Sequence, residues 1–183
     1  MLLAAAALLL AGCGQDRPPA VTFEEPVATD STPLPADRDS ARDELVQHGL
    51  LVPIASRAEV AAQLGPPGST RAAPVANRHD PAQTDSIVQV HYPGMRLEYY
   101  VVTAGPGEML SSAHVRHNRY LRYPSLGVGA RREDILRALG DPGAAADTTL
   151  TYDCRSCMGA ESPVIFHLTG GRVQEVEYSI YVD

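Results

Sequence analysis

Hydrophobic residues at helical spacing occur in two places along the chain. Val60, Ala61 and Leu64 share one face of a helix, and Ile135, Leu136 and Leu139 repeat that spacing. A glycine and then a proline follow each segment, and this order stops a helix because glycine takes the left-handed turn and proline cannot continue it. Before the first segment, the Ser-x-x-Glu pattern predicts a capping box, whereas the second has an arginine there. We therefore predict two short helices, each with a defined end.

Three strand-like runs follow each predicted helix, and glycine- or proline-containing turns separate most of them. The stretch from 68 to 85 lacks such a pattern and is predicted to be a long loop. Segments 43–51 and 118–126 are each predicted to add a helical turn or lead-in. The pattern predicts an α+β fold of two tandem units, each a short helix or helix pair packed on a three- to four-stranded antiparallel sheet. The predicted strands are 87–92, 96–102 and 109–116, then 149–153, 164–168 and 172–182.

The two helical segments also align with each other in sequence. Segment 57–68 matches 132–143 at the arginine, leucine, glycine, second proline and final glycine positions. A match of this kind predicts an internal repeat. We therefore divide the chain beyond the tether into a first helix-plus-sheet repeat at 43–117 and a second at 118–183.

The second copy carries a motif that resembles a known family. From Gly129 to Pro142 it reads Gly-x-x-Arg-x-x-Ile-x-x-x-Leu-Gly-x-Pro, while the first copy has Ile54 in place of the leading glycine. This motif resembles the repeat of the β-lactamase-inhibitor-protein fold, a unit that also occurs in the small lipoproteins of the outer-membrane barrel-assembly machinery. The resemblance spans roughly residues 43–183. It implies a fold and protein binding through a sheet face, and it implies no particular chemistry.

The amino-terminal segment resembles the signal of a bacterial lipoprotein. Residues 2–11 form an unbroken apolar run that is too short to span a bilayer, and Leu-Ala-Gly-Cys at 10–13 resembles a lipobox. The resemblance implies a signal peptide at 1–12 and lipidation of Cys13. Residues 13–42 are rich in proline and are predicted to be a disordered tether. Gly14 after the cysteine favours the inner leaflet of the outer membrane, facing the periplasm. No basic residue precedes the apolar run, which departs from the usual signal pattern.

Composition narrows the possible functions. The formal net charge is −7, which argues against nucleic acid as a partner. All basic residues are arginine, so lysine-dependent Schiff-base chemistry is excluded. The sequence contains no Gly-x-Ser-x-Gly or His-Glu-x-x-His motif and no paired-carboxylate pattern. We therefore predict no enzymatic activity, no cofactor and no metal, with the lipid anchor as the sole membrane contact.

The Cys-x-x-Cys pair at Cys154 and Cys157 has four alternative interpretations, namely a structural disulfide, free thiols, a redox pair and part of a metal site. In an oxidising compartment it closes a small structural disulfide, which we favour. Thiol–disulfide exchange is the alternative, although that chemistry usually needs a cysteine at a helix N-terminus. A zinc site requires further ligands, and His167 is the one nearby candidate. His114 and His117 are three apart in a predicted strand, so we expect separate surface histidines rather than a metal pair.

The polar sides of the predicted strands provide a candidate binding face. Tyrosine and arginine are enriched among the residues that anchor protein interfaces, although a solvated sheet face is equally polar. Our main hypothesis is a non-enzymatic envelope lipoprotein that binds another envelope protein, in an assembly or an inhibitor/immunity role. The alternative is a periplasmic redox protein that uses Cys154 and Cys157. The candidate partner-binding residues are His91, Arg96, Glu98, Tyr100, His167, Glu177 and Tyr181, with Gln89 beside them.

Overall fold

A computed structural model describes residues 33–52, 55–105, 107–143, 146–157 and 162–180. The predicted signal peptide, Cys13 and Tyr181 lie outside these ranges. Two single 3-10 turns, Asn118–Tyr120 and Pro124–Leu126, occupy the predicted lead-in before the third helix. The helices are α1 (Arg38–His48), α2 (Arg57–Leu64) and α3 (Arg132–Leu139), and the strands are β1 (Ser69–Ala76), β2 (Thr84–Tyr92), β3 (Met95–Val101), β4 (Glu108–Val115), β5 (Thr149–Tyr152), β6 (Val164–Thr169) and β7 (Arg172–Ser179).

All seven strands belong to one antiparallel sheet in the order β1-β2-β3-β4-β7-β6-β5. The α+β class and the antiparallel hairpins are confirmed. The prediction of two sheets with three to four strands each is wrong, because β4 pairs with β7 from Ser112↔Ser179 to Val115↔Val176 and makes the sheet continuous. Strand β4, the last strand before α3, therefore lies beside β7, the last strand of the chain. This pairing brings residues from distant parts of the chain onto the same sheet face.

Strand β1 lies where the sequence predicted a loop. Its eight residues are almost all exposed, and Pro74 lies within it. A proline cannot donate to a strand ladder, so it is tolerated only where one side of the strand has no neighbour, as at this edge of the sheet. The strand is defined by its pairing with β2, from Ser69↔His91 to Ala76↔Thr84. No alternation of apolar residues marks it in the sequence.

Helices α2 and α3 begin and end largely as the sequence predicted. Ser56 and Glu59 form the capping box of α2, and α3 begins without a side-chain cap. Gly65 ends α2 at φ 79° and ψ −177°, and Gly140 ends α3 at φ 76° and ψ −175°. This backbone region is essentially restricted to glycine, which explains why both helices need that residue. The two helix ends therefore share one backbone conformation.

Helix α1 begins earlier than the sequence indicated. Asp37 caps it by accepting from the Ser40 amide at 2.9 Å, and Ala41, Arg42 and Leu45 are buried. The helix therefore starts inside the stretch 13–42 that was predicted to be tether, and its residues 38–42 belong to the folded head. Within the described part of the chain, no helix is both long and apolar enough to cross a bilayer.

The hydrophobic core lies on one face of the sheet. Leu45, Val60, Ile135 and Leu139 from the three helices join the inward residues of every strand from β2 to β7 in a single buried cluster. Along these strands, buried side chains alternate with partly exposed ones. We call the side away from this core the outer face. The fold thus buries one face of the sheet under helices and leaves the other to polar side chains.

Candidate binding face of the sheet

Six of the seven predicted partner-binding residues lie on the outer face. The strand register places His91 beside Arg96, Arg96 beside His114, and His114 beside Glu177. The contacts recorded for these outward side chains come from neighbouring strands rather than from helices. The members of the face are Gln89, His91, Arg96, Glu98, Tyr100, His114, His167, Glu175 and Glu177.

The centre of the outer face holds a cluster that the sequence did not identify. Nδ1 of His114 lies 2.9 Å from Oε1 of Glu175 and 3.9 Å from Oε2 of Glu177. Nε2 of His167 lies 2.8 Å from Oε2 of the same Glu177. We call these four residues the His–Glu cluster. They come from β4, β7 and β6, so the pairing of β7 with both β4 and β6 brings them together.

His114 and His117 have different surroundings, and the expectation that they do not form a metal pair stays a prediction. Nδ1 of His117 accepts a hydrogen bond from the Arg119 amide at 3.3 Å, whereas His114 contacts the glutamates. However, His114 is not a free surface histidine, since its side chain is 15% exposed. Glu175 and Glu177 alternate with a buried valine in β7, which is a local sign that they share a face. That they face His114 could not be read from the sequence.

The charges around the cluster are partly balanced. Burial alone would raise the pKa of Glu175, but hydrogen bonds with His114 and Arg116 outweigh it, so the pKa of that carboxyl is lowered. The side chain of Arg116 is 70% exposed, so much of its charge remains in contact with water. Nearby, Nε of Arg96 lies 3.2 Å from Oε1 of Glu98, which also accepts from Gln89 at 3.0 Å. The outer face therefore carries ordered charges of both signs.

An open cavity of about 220 Å³ lies against the cluster. His114, Arg116 and Glu175 line it on one side, and His91 and Arg96 line it on the other. The cavity gives small ligands a path from solvent to the imidazole of His114. It is smaller than the roughly 300–1,000 Å³ of typical small-molecule pockets, and it has room for an ion with its bound water.

A buried carboxylate orders one end of the same face. Asp85 in β2 is fully buried and accepts hydrogen bonds from Asn77 at 2.6 Å, Gln83 at 2.7 Å and the Thr103 amide at 2.9 Å. The Tyr100 hydroxyl also donates to it, and this bond is the main reason why the pKa of Asp85 is strongly lowered. Tyr100, one of the predicted binding residues, is thus held in place by its own hydroxyl.

Cys154 and Cys157 form the predicted disulfide, with 5.5 Å between their α-carbons. The pair follows β5, and neither cysteine lies in a described helix. Asp43 of α1 accepts hydrogen bonds from the amides of Arg155 at 2.6 Å and Ser156 at 3.2 Å. A hydrogen bond from the side chain of Ser156 contributes most to the lowered pKa of Asp43. The disulfide loop is therefore attached to α1.

Comparison with known proteins identifies no relative of this chain. No protein-family model, curated protein or solved structure matches the chain. The function must therefore be inferred from the geometry of the outer face and from the sequence.

Proposed function

We propose that this protein is a non-enzymatic lipoprotein of the cell envelope that binds another protein through the outer face of its sheet. The observation that carries this proposal is the outer face itself. Its polar and aromatic side chains are held by contacts with neighbouring strands, while the helices pack on the opposite side. Because these side chains are already ordered in the free protein, they lose less conformational entropy when a partner binds.

The composition of the face fits a protein partner. Arginine and tyrosine are typical anchors of interfaces, and the mixture of charge signs offers a specific pattern for electrostatic complementarity. Met109 stands beside Tyr100 across β3 and β4 and is 40% exposed, which adds an apolar contact to the polar face. An exposed apolar side chain beside the polar face favours a protein surface over a small polar ligand as the binding partner.

We further propose that the two halves descend from one duplicated unit and that the head is anchored at Cys13. The matched glycine conformations at Gly65 and Gly140 support the duplication, as does the order of helix followed by antiparallel strands. The lipobox-like segment supports the anchor. Replacing Cys13 with serine should move the protein from the membrane fraction to the soluble envelope fraction, and retention in the membrane would contradict lipidation.

Photo-crosslinking in the native host tests the binding face. A photoreactive amino acid is placed at Gln89 or Met109 on the outer face, or at Arg137, whose side chain is 73% exposed on α3, as the matched control. We expect the same discrete crosslinked species from both outer-face positions and none from position 137. Arg96→Glu should reduce the crosslink at Gln89, while Arg137→Glu should not. Equal crosslinking from position 137 would refute the proposal.

The physiological role can then be separated by deletion of the protein. Defects in the outer-membrane barrier would indicate an assembly role. Sensitivity to one toxin or periplasmic enzyme would indicate an inhibitor or immunity role. Crosslinking identifies the partner independently of either phenotype, so the two experiments check each other.

A further inference from the structure

We propose that His114, Glu175 and Glu177 form a binding site for a divalent metal ion with the ligand preference of zinc. Each residue offers one ligand atom, and the three atoms all lie within 4.8 Å of one another. Zinc binds imidazole nitrogen and carboxylate oxygen at about 2.0–2.2 Å, so its tetrahedral ligands stand roughly 3.4 Å apart. The observed separations of 2.9 and 3.9 Å from Nδ1 of His114 lie on either side of that value.

The sheet holds these ligands in place before any ion arrives. Glu175 and Glu177 are two residues apart on β7 and therefore point to the same side. His114 stands opposite Glu177 in the ladder between β4 and β7. The side chains of His114, Glu175 and Glu177 are 15%, 14% and 21% exposed, so neighbouring strands restrict their rotamers. Metal binding thus requires shifts of the side chains and no movement of the backbone.

His167 contacts one of the three proposed ligands but is not itself proposed as a ligand. Its Nε2 contacts Oε2 of Glu177 at 2.8 Å, which orients the carboxylate toward His114. Such outer partners of metal ligands commonly change metal affinity by about 10- to 100-fold when they are removed. We therefore assign His167 as a positioning residue that acts through Glu177.

The local charge also favours a cation. The carboxylates of Glu98, Glu175 and Glu177 face two guanidinium groups, those of Arg96 and Arg116, so the carboxylates outnumber the guanidinium groups by one when the histidines are neutral. Arg116 competes for Glu175, but it is largely exposed and contacts Oε2, which leaves Oε1 toward His114.

An imidazole ligand selects against Mg²⁺ and Ca²⁺, which prefer all-oxygen sites, and favours Zn²⁺ or Co²⁺. With three protein ligands, the fourth tetrahedral position is open to water from the adjoining cavity. The site lies within the outer face but does not depend on the partner proposed above. Its test therefore uses the purified protein alone.

The experiment measures Zn²⁺ binding by the full chain without a histidine tag, by competition with a chromogenic chelator. Cys13→Ser is present in every variant so that a free thiol does not bind the ion. We expect one Zn²⁺ per chain and a Co²⁺ complex with the visible absorption of a tetrahedral site. His114→Ala and Glu177→Gln should each weaken binding at least tenfold, and His167→Ala by about 10- to 100-fold. His79→Ala, an exposed histidine between β1 and β2, should leave the affinity unchanged.

Circular dichroism shows whether each variant folds. A second readout comes from the protein in which none of the proposed ligands is substituted. Its thermal midpoint should rise with Zn²⁺ concentration, because an ion that binds only the folded state stabilises it. Mg²⁺ should produce no such rise. Absence of stoichiometric Zn²⁺ binding overturns the proposal. So does equal weakening by His79→Ala, or an unchanged affinity in folded His114→Ala.

Discussion

Arg42 is expected to be one of the main stabilising residues of the fold, although it lies in the stretch that the sequence predicted to be tether. The residue is 7% exposed. Its Nε donates to the Leu139 carbonyl at the end of α3, and its Nη2 donates to the Asp141 carbonyl at 2.9 Å. Its guanidinium carbon lies 5.4 Å from the ring centre of Tyr152. Arg42 thus joins α1 to the end of α3 and to β5.

The cost of Arg42→Ala follows from these contacts. A hydrogen bond to a charged group contributes about 1.5–3 kcal/mol, and the cation–π contact about 0.5–2 kcal/mol. The carbonyl of Leu139 is one of the helix-terminal acceptors that have no partner within the helix. We therefore expect a loss of about 3–5 kcal/mol in the free energy of unfolding. For a domain of this size that corresponds to a fall of roughly 6–20 °C in the thermal midpoint.

Urea unfolding followed by circular dichroism, with the disulfide intact, measures this loss by linear extrapolation. Arg137→Ala is the matched control, because Arg137 is largely exposed and, among the residues that the structure describes, its side chain pairs only with Asp134 in the same helix. That pair should contribute no more than about 0.5 kcal/mol. A loss below about 1 kcal/mol for Arg42→Ala, or a loss equal to that of the control, would refute the reasoning.

Three further predictions concern other contacts. Tyr99 is fully buried, and its hydroxyl has no hydrogen-bond partner among the described residues. Tyr99→Phe should therefore leave the free energy of unfolding unchanged or raise it by up to about 1 kcal/mol. Tyr152→Phe removes a 2.9 Å hydrogen bond to the Gly140 carbonyl and should lower the free energy of unfolding by about 1 kcal/mol. A loss for Tyr99→Phe that is larger than the loss for Tyr152→Phe would contradict this. The pKa of Asp85 is lower in the folded protein than its ordinary value of 3.8, so its contribution is complete well above pH 3.8 and is lost as pH falls through that value toward the folded pKa. Unfolding measured from pH 7 to pH 2 should show Asp85→Asn less stable at pH 7, with the difference shrinking in acid; a constant difference would exclude this role. For a structural disulfide, Cys157→Ser should run as a monomer on non-reducing gels of envelope extracts, while trapped mixed disulfides would support the redox alternative.

Local features of the chain were predicted well because short-range chemistry determines them. The capping box at Ser56 and Glu59 forms between residues three apart, and Gly65 and Gly140 end their helices through their own backbone freedom. The hairpins from β2 to β4 and from β6 to β7 join neighbours in sequence, so alternation and turn residues were enough to place them. The Cys154–Cys157 disulfide likewise closes over three residues.

Long-range pairing decided the remaining features. Strand β1 has little apolar pattern and exists because β2 offers it a ladder. Arg42 looks like a polar tether residue until α1 packs against the end of α3. The outer-face alternation of β7 was visible in the sequence, but the pairing of β4 with β7 was not. That pairing alone brings His114 to Glu175 and Glu177, since nothing local links residues about 60 positions apart before the sheet closes.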